Sequence, residues 1–168
     1  MPMIIGVPSE VKNNEFRVGL TPNSCKTILD EGHTVYIQAN AGLGIGFTND
    51  HYLDSGALVL DTAEEIYLIA ELIIKVKEPI ESEYKYLRDD LTLFTYLHLA
   101  GDPVNAKKLI DTGVTGIAYE TVTAEDGSMP LLAPMSAIAG QISIVVGSYH
   151  LLKHNLGKGV LIGSFGDI

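Results

Sequence analysis

Short apolar runs alternate along this chain with stretches in which apolar residues recur every three or four positions. The first pattern predicts strands over residues 4–8, 34–38, 57–60, 71–77, 91–97 and 114–118, with a last short one over 158–162. The second predicts helices between them. Thr21 followed by Pro22 caps a helix that runs to about Asp30 and is closed by Gly32. A short helix is expected over 50–54. Thr62 with Glu65 has capping-box spacing and opens another. Residues 83–88 read as a short helix, and Asp102 with Pro103 starts one that ends near Asp111, before Gly113. A polar turn over 123–129 precedes a long helix from about Met135 to His154.

Strand–helix alternation of this kind predicts an α/β fold. The expected form is a Rossmann-like, doubly wound, mostly parallel sheet with helices on both faces, plus a long C-terminal helix. The organisation expected is one α/β domain over residues 1–134, followed by the long linking helix and short strand over 135–168.

Charge narrows the partners. The net charge is −10, so a phosphate backbone is repelled overall and nucleic acid is not an expected partner. The start of the chain is too short and uncharged for a signal peptide, and the apolar runs fall short of a membrane span, so a cytoplasmic protein is expected. The sole cysteine, Cys25, sits among apolar-periodic positions and reads as a packing residue. His33, His51, His150 and His154 lack matching carboxylate or thiol partners in sequence, so no metal site is expected.

In open α/β sheets ligands sit at the carboxyl ends of strands, which directs attention to the polar residues just past each strand. Arg17 lies in the loop after the first strand, and a guanidinium there can hold a carboxylate through two parallel hydrogen bonds or stand as a plain surface residue. Lys75 and Lys77 close the apolar run 71–77. Two residues apart on a strand, they are expected on one face, either binding a carboxylate or carbonyl or reaching out to solvent. His98 directly follows the strand 91–97, where its intrinsic pKa suits proton transfer. Glu120 follows the strand 114–118 at the same edge and could orient a lysine or be solvated; the acids Asp89 and Asp90 read as a solvated loop. Two or three cations with one histidine suit a small 2-oxo or amino acid.

The glycine-rich loop Gly42-Leu-Gly-Ile-Gly46 invites a dinucleotide reading. Its spacing is G-x-G-x-G, Phe47 stands where the third glycine of the fingerprint belongs, and no helix is expected directly from it. A tight structural loop is the reading favoured, and no G-x-G-x-x-G occurs elsewhere in the 168 residues.

On these residues the chain resembles the alanine dehydrogenase and pyridine nucleotide transhydrogenase family. The segments carrying the resemblance are VPSEVKNNEFR (7–17), AGLG (41–44), VKEP (76–79), FTYLHLA (94–100), IAYET (117–121) and LLAPMS (131–136). The resemblance implies reversible, NAD-dependent oxidative deamination of L-alanine to pyruvate and ammonium. It implies that Arg17 binds the substrate carboxylate, that Lys77 contacts the carbonyl and carboxylate, and that His98 donates and accepts the proton. It also implies that Met135 and Ser136 approach the cofactor from the substrate side, and that the assembly is a homo-oligomer.

Transhydrogenase subunits resemble the same length but typically lack residues matching Lys77 and His98, so the dehydrogenase branch is favoured. Members are roughly twice as long as this chain. Gly163-Ser-Phe-Gly-Asp-Ile168 departs from the family pattern and Gln141 replaces a common arginine. The expectation is therefore a substrate-binding half without the NAD-binding domain, which does not bind NAD or turn over alone. The alternatives are a 2-oxo acid binding or assembly module, or a transhydrogenase-like domain.

Overall fold

The computed structural model describes residues 1–163 and divides into two compact units, Met1–Thr121 and the chain from Val122 on. Each is treated by itself below.

Among the described residues of the first unit, six strands form one sheet: β1 (Ile4–Val7), β2 (Thr34–Gln38), β3 (Leu58–Leu60), β4 (Leu72–Ile74), β5 (Thr92–Thr95) and β6 (Thr115–Ala118). Their order is β3-β2-β1-β4-β5-β6 and every pairing is parallel. This is the doubly wound order, and its direction reverses between β1 and β4. The sheet is wholly parallel where a mostly parallel one was expected.

The helices form where local signals are strongest. In α1 (Pro22–Asp30) the Thr21 hydroxyl accepts from the Ser24 N–H and Pro22 occupies the first turn. α2 (Asn49–Asp54) starts from Thr48. In α3 (Ala63–Ile69) Thr62 and Glu65 complete the capping box read from the sequence. Asp102 caps α4 (Pro103–Asp111) by accepting from the Asn105 N–H.

Two apolar clusters lie against the sheet. One joins Ile5, Val7, Val35 and Ile37 to Cys25 of α1 and Tyr52 of α2; the other joins Ile73, Leu91 and Leu93 to Ile66 and Tyr67 of α3, to Ala70 just after it and to Leu109 of α4. Neighbouring residues of one strand feed different clusters, Ile74 the first and Ile73 the second, as a sheet covered on both faces requires. Close approach of α3 to β1 depends on Gly6, where an added Cβ would meet Ile66 Cγ2 at 2.7 Å.

Strand β4 stops at Ile74, short of the expected 71–77, and residues 83–88 contain only a 3-10 turn over Tyr84–Tyr86. In the second unit, Ala124 and Ser128 close a turn, and α5 spans Ala133–Leu151 with Pro134 in its first turn. The expected strand over 158–162 does not form. A lone extended run has nothing to pair its backbone with, and no other strand is described in this unit. Residues 164–168, where the sequence leaves the family pattern, lie outside the described residues.

Candidate functional site

The sheet reverses direction between β1 and β4, and the loops beyond these two strands are tied together. Lys12, after β1, forms an ion pair with Glu78, after β4. Glu10 reaches from the first loop to the second and accepts from the Val76 N–H at 2.6 Å and the Lys77 N–H at 3.3 Å. Both contacts join the carboxyl ends of adjacent strands, the place where open α/β sheets bind ligands.

Arg17 stands in the first of these loops, half-buried. Its Nε donates to Glu15 Oε1 at 2.7 Å and its Nη2 to Glu15 Oε2 at 2.5 Å. This two-point hold fixes the guanidinium plane. The hydrogen bond from Arg17 keeps the Glu15 carboxyl below its ordinary range, and the positive charge of Lys77 adds to the same effect. Lys77 therefore lies within electrostatic reach of the Arg17–Glu15 pair. Ser9, Glu10, Glu15, Arg17 and Asn40 contribute to a cavity of about 150 Å³ at this edge.

Tyr96, which follows β5, also lies within electrostatic reach of Arg17. Burial raises the Tyr96 phenol, and the Arg17 charge works against that shift. The ring of Tyr96 stacks on His98, with centroids 6.2 Å apart and planes 26° from parallel. His98 is exposed and has a positive φ of 50°. Glu120, after β6, accepts from the Leu97 N–H at 3.2 Å and from the His98 N–H at 2.7 Å, so it fixes this bend. Arg17, Lys77 and His98 thus come from three strand ends and are linked through Glu15 and Tyr96.

The two lysines read together in the sequence are separated. Lys75 is completely buried, and its Nζ lies 2.6 Å from Glu83 Oε1 and 3.6 Å from Glu10 Oε2. Lys77 is half-buried at the site. Because β4 ends at Ile74, strand alternation does not carry both to one solvent-facing edge.

The glycine loop is a 3-10 turn over Leu43–Ile45. An added Cβ on Gly44 would stand 2.6 Å from the Phe16 carbonyl oxygen, so this glycine lets the loop pack on the backbone next to Arg17. The next helix, α2, opens only at Asn49. Close packing, with no helix N-terminus facing the loop's amides, does not fit a dinucleotide pyrophosphate. Met135 and Ser136 lie in the first turn of α5, in the second unit; Met135 is half-buried and Ser136 exposed. Among the described residues no three histidine, cysteine or acidic side chains gather as metal ligands.

Sequence reasoning passed over Glu10, Glu15 and Tyr96. Their signal was present: each lies within a segment already singled out, two residues before Arg17 in the case of Glu15 and two before His98 in the case of Tyr96.

The family model for the N-terminal domain of alanine dehydrogenase/PNT matches residues 6–139, which contain every one of these side chains. The chain belongs to this family. Curated alanine dehydrogenases are similar to it: that of Methanococcus maripaludis is 52% identical over 161 residues, covering 96% of this chain and 43% of the relative. That of Bacillus subtilis is 49% identical over 160 residues, covering 95% and 42%. A solved L-alanine dehydrogenase superposes with a TM-score of 0.87 at 47% identity, covering 96% of this chain and 44% of that one. A transhydrogenase from Sinorhizobium meliloti gives 0.65 at 28% identity, over 70% of this chain and 35% of that one. The chain spans about 43% of the length of the curated relatives it matches. No helix among its described residues is long and apolar enough to cross a membrane.

Proposed function

We propose that this chain is the substrate-side domain of an NAD-dependent alanine dehydrogenase and binds pyruvate and L-alanine at the β1–β4 edge. The observation that carries the reading is the convergence of Arg17, Lys77 and His98 from three strand ends, linked through Glu15 and Tyr96. Arg17 takes the carboxylate of the 2-oxo or amino acid, in a plane already set by Glu15. Lys77 places an ammonium on the carbonyl oxygen, where it favours negative charge as that bond polarises. His98 gives and takes the proton of the oxygen or nitrogen attached to the reacting carbon. Met135 and Ser136 are assigned, on the resemblance, to contact with the cofactor.

NAD supplies hydride acceptance when bound. The glycine loop does not fit its pyrophosphate, so its site is assigned to the portion of the relatives' length that this chain does not span. The protein is proposed to be cytoplasmic. The homo-oligomer expected from the sequence draws support from α5, whose apolar residues are spread around the helix and exposed, Ile142, Ile144 and Val145 among them.

Calorimetry tests the substrate reading. Pyruvate added to the 168-residue chain is expected to give saturable heat that Arg17→Ala abolishes. Absence of heat with the unaltered chain, or heat that survives Arg17→Ala, overturns it. Light scattering that returns a monomer overturns the oligomer.

A further inference from the structure

We infer that Glu10 is a positioning residue for Lys77, and that buried Lys75 is the counter-charge that keeps the Glu10 carboxylate in place; this rests on the pyruvate-binding reading above. The segment after β4 keeps two backbone bonds to the β5 side, Lys75 N–H to the Phe94 carbonyl at 3.1 Å and Tyr96 N–H to the Val76 carbonyl at 3.3 Å, but its Val76 and Lys77 N–H groups need partners from a side chain. Glu10 supplies one for Val76 and one for Lys77, with its two oxygens on consecutive N–H groups at 2.6 and 3.3 Å. The segment is held again three residues on, where Glu83 Oε2 accepts from the Ile80 N–H at 3.0 Å.

Lys75 joins these two anchors. Its Nζ lies 2.6 Å from Glu83 Oε1 and 3.6 Å from Glu10 Oε2, and the Tyr67 hydroxyl donates to the same Glu83 oxygen at 3.2 Å. The side chains of Lys75, Glu10 and Glu83 are 0, 2 and 5% exposed. Carboxylates so deeply buried need a cation, and Lys75 is the one in contact with both. The two lysines of the VKEP region therefore divide the work. Lys77 stands at the site, and Lys75 stays behind the peptide that carries it. A backbone gripped at residues 76, 77 and 80 keeps the Lys77 Cα in one place relative to Arg17, the condition for an ammonium and a guanidinium to meet one small substrate together.

Glu10→Gln tests this in the full 168-residue chain. A glutamine puts an NH2 donor in place of one of the two carboxylate oxygens, so the separate acceptors that serve the Val76 and Lys77 amides are lost. Amide hydrogen exchange by NMR reads the grip directly, and pyruvate calorimetry reads its consequence. Ile66→Val, a core change with a comparable fall in melting temperature, serves as the control.

The expected result has three parts. The Val76 and Lys77 amides are protected in the unaltered chain. Glu10→Gln raises their exchange about tenfold while β1 and β5 stay protected. Pyruvate affinity falls roughly tenfold in Glu10→Gln and holds in Ile66→Val. Unprotected amides at Val76 and Lys77 in the unaltered chain overturn the inference without any variant, so a Glu10→Gln that fails to fold leaves it falsifiable. Equal protection in Glu10→Gln, or an affinity loss matched by Ile66→Val, overturns it too. If the unaltered chain binds no pyruvate, the substrate reading falls, and the exchange data alone decide whether Glu10 holds Lys77.

Discussion

Glu120 accepts from the His98 backbone N–H at 2.7 Å and holds that residue at a φ of 50°. The left-handed region costs a non-glycine residue roughly 1 kcal/mol, least for asparagine, aspartate and histidine and most for β-branched side chains. The carboxylate offsets this by satisfying two consecutive N–H groups, those of Leu97 and His98. The bend turns the chain out of β5 and presents the imidazole beside Tyr96.

Stability and chemistry at His98 should therefore separate. His98→Asn keeps a side chain that tolerates the left-handed region and is expected within about 0.5 kcal/mol of the unaltered chain in urea denaturation. His98→Val is expected to lose about 1–2 kcal/mol. Equal stability of the two variants would mean that the bend is not populated in solution.

Most of the fold could be read ahead of the structure because its signals are local. Thr21-Pro22, Thr62 with Glu65 and Asp102-Pro103 each mark a helix start through a hydrogen bond within three residues, and all three form. The roles of Lys75 and Lys77 were harder to separate. Their difference depends on Glu10 and Glu83, one of them 66 residues from the Val76 amide it holds. The glycine loop shows the same limit: its spacing argued against a pyrophosphate, but only the fold reveals Phe16 pressed against Gly44. The run 158–162 failed as a strand because strand patterning carries no information on whether a pairing edge is present.

Gly44→Ala should disturb the site from behind. The new Cβ meets the Phe16 carbonyl oxygen and Cβ within 3 Å, and the backbone beside Arg17 must shift to make room. A loss of about 1–3 kcal/mol is expected, with weaker pyruvate binding. At Gly46 nothing lies within 4 Å, so Gly46→Ala carries only the cost of its positive φ of 87°, about 1 kcal/mol, and leaves binding intact. Thermal melts paired with calorimetry distinguish them, and identical behaviour would show that the loop does not press on Phe16.

Cys25 should be inert while the chain is folded. Burial in the first apolar cluster pushes its thiol up to about 12, so almost no thiolate exists at neutral pH. A disulfide-exchange reagent is expected to leave it untouched in buffer and to titrate one thiol per chain in denaturant. Rapid modification without denaturant would place α1 off the sheet.

Acid stability should turn on Glu15 and Glu10, which shift in opposite directions. Hydrogen bonding to Arg17 lowers Glu15, so the folded chain favours its charged form. That contribution is fully present above the unfolded carboxylate value, about 4.5, and is lost as pH falls through the lower folded value. Burial raises Glu10, despite the charge of Lys75, so the folded chain carries a cost for ionising it that is relieved as pH drops through the raised value. Glu15→Gln deletes the first contribution and leaves the second. Between about pH 6 and pH 3 its urea midpoint should therefore fall less steeply than that of the unaltered chain. The Arg17 side chain is 43% exposed, so the difference is expected to be modest and to shrink with added salt. Superimposable pH profiles would mean that Glu15 does not hold Arg17 in solution, and the carboxylate-binding plane assigned to Arg17 would lose its support.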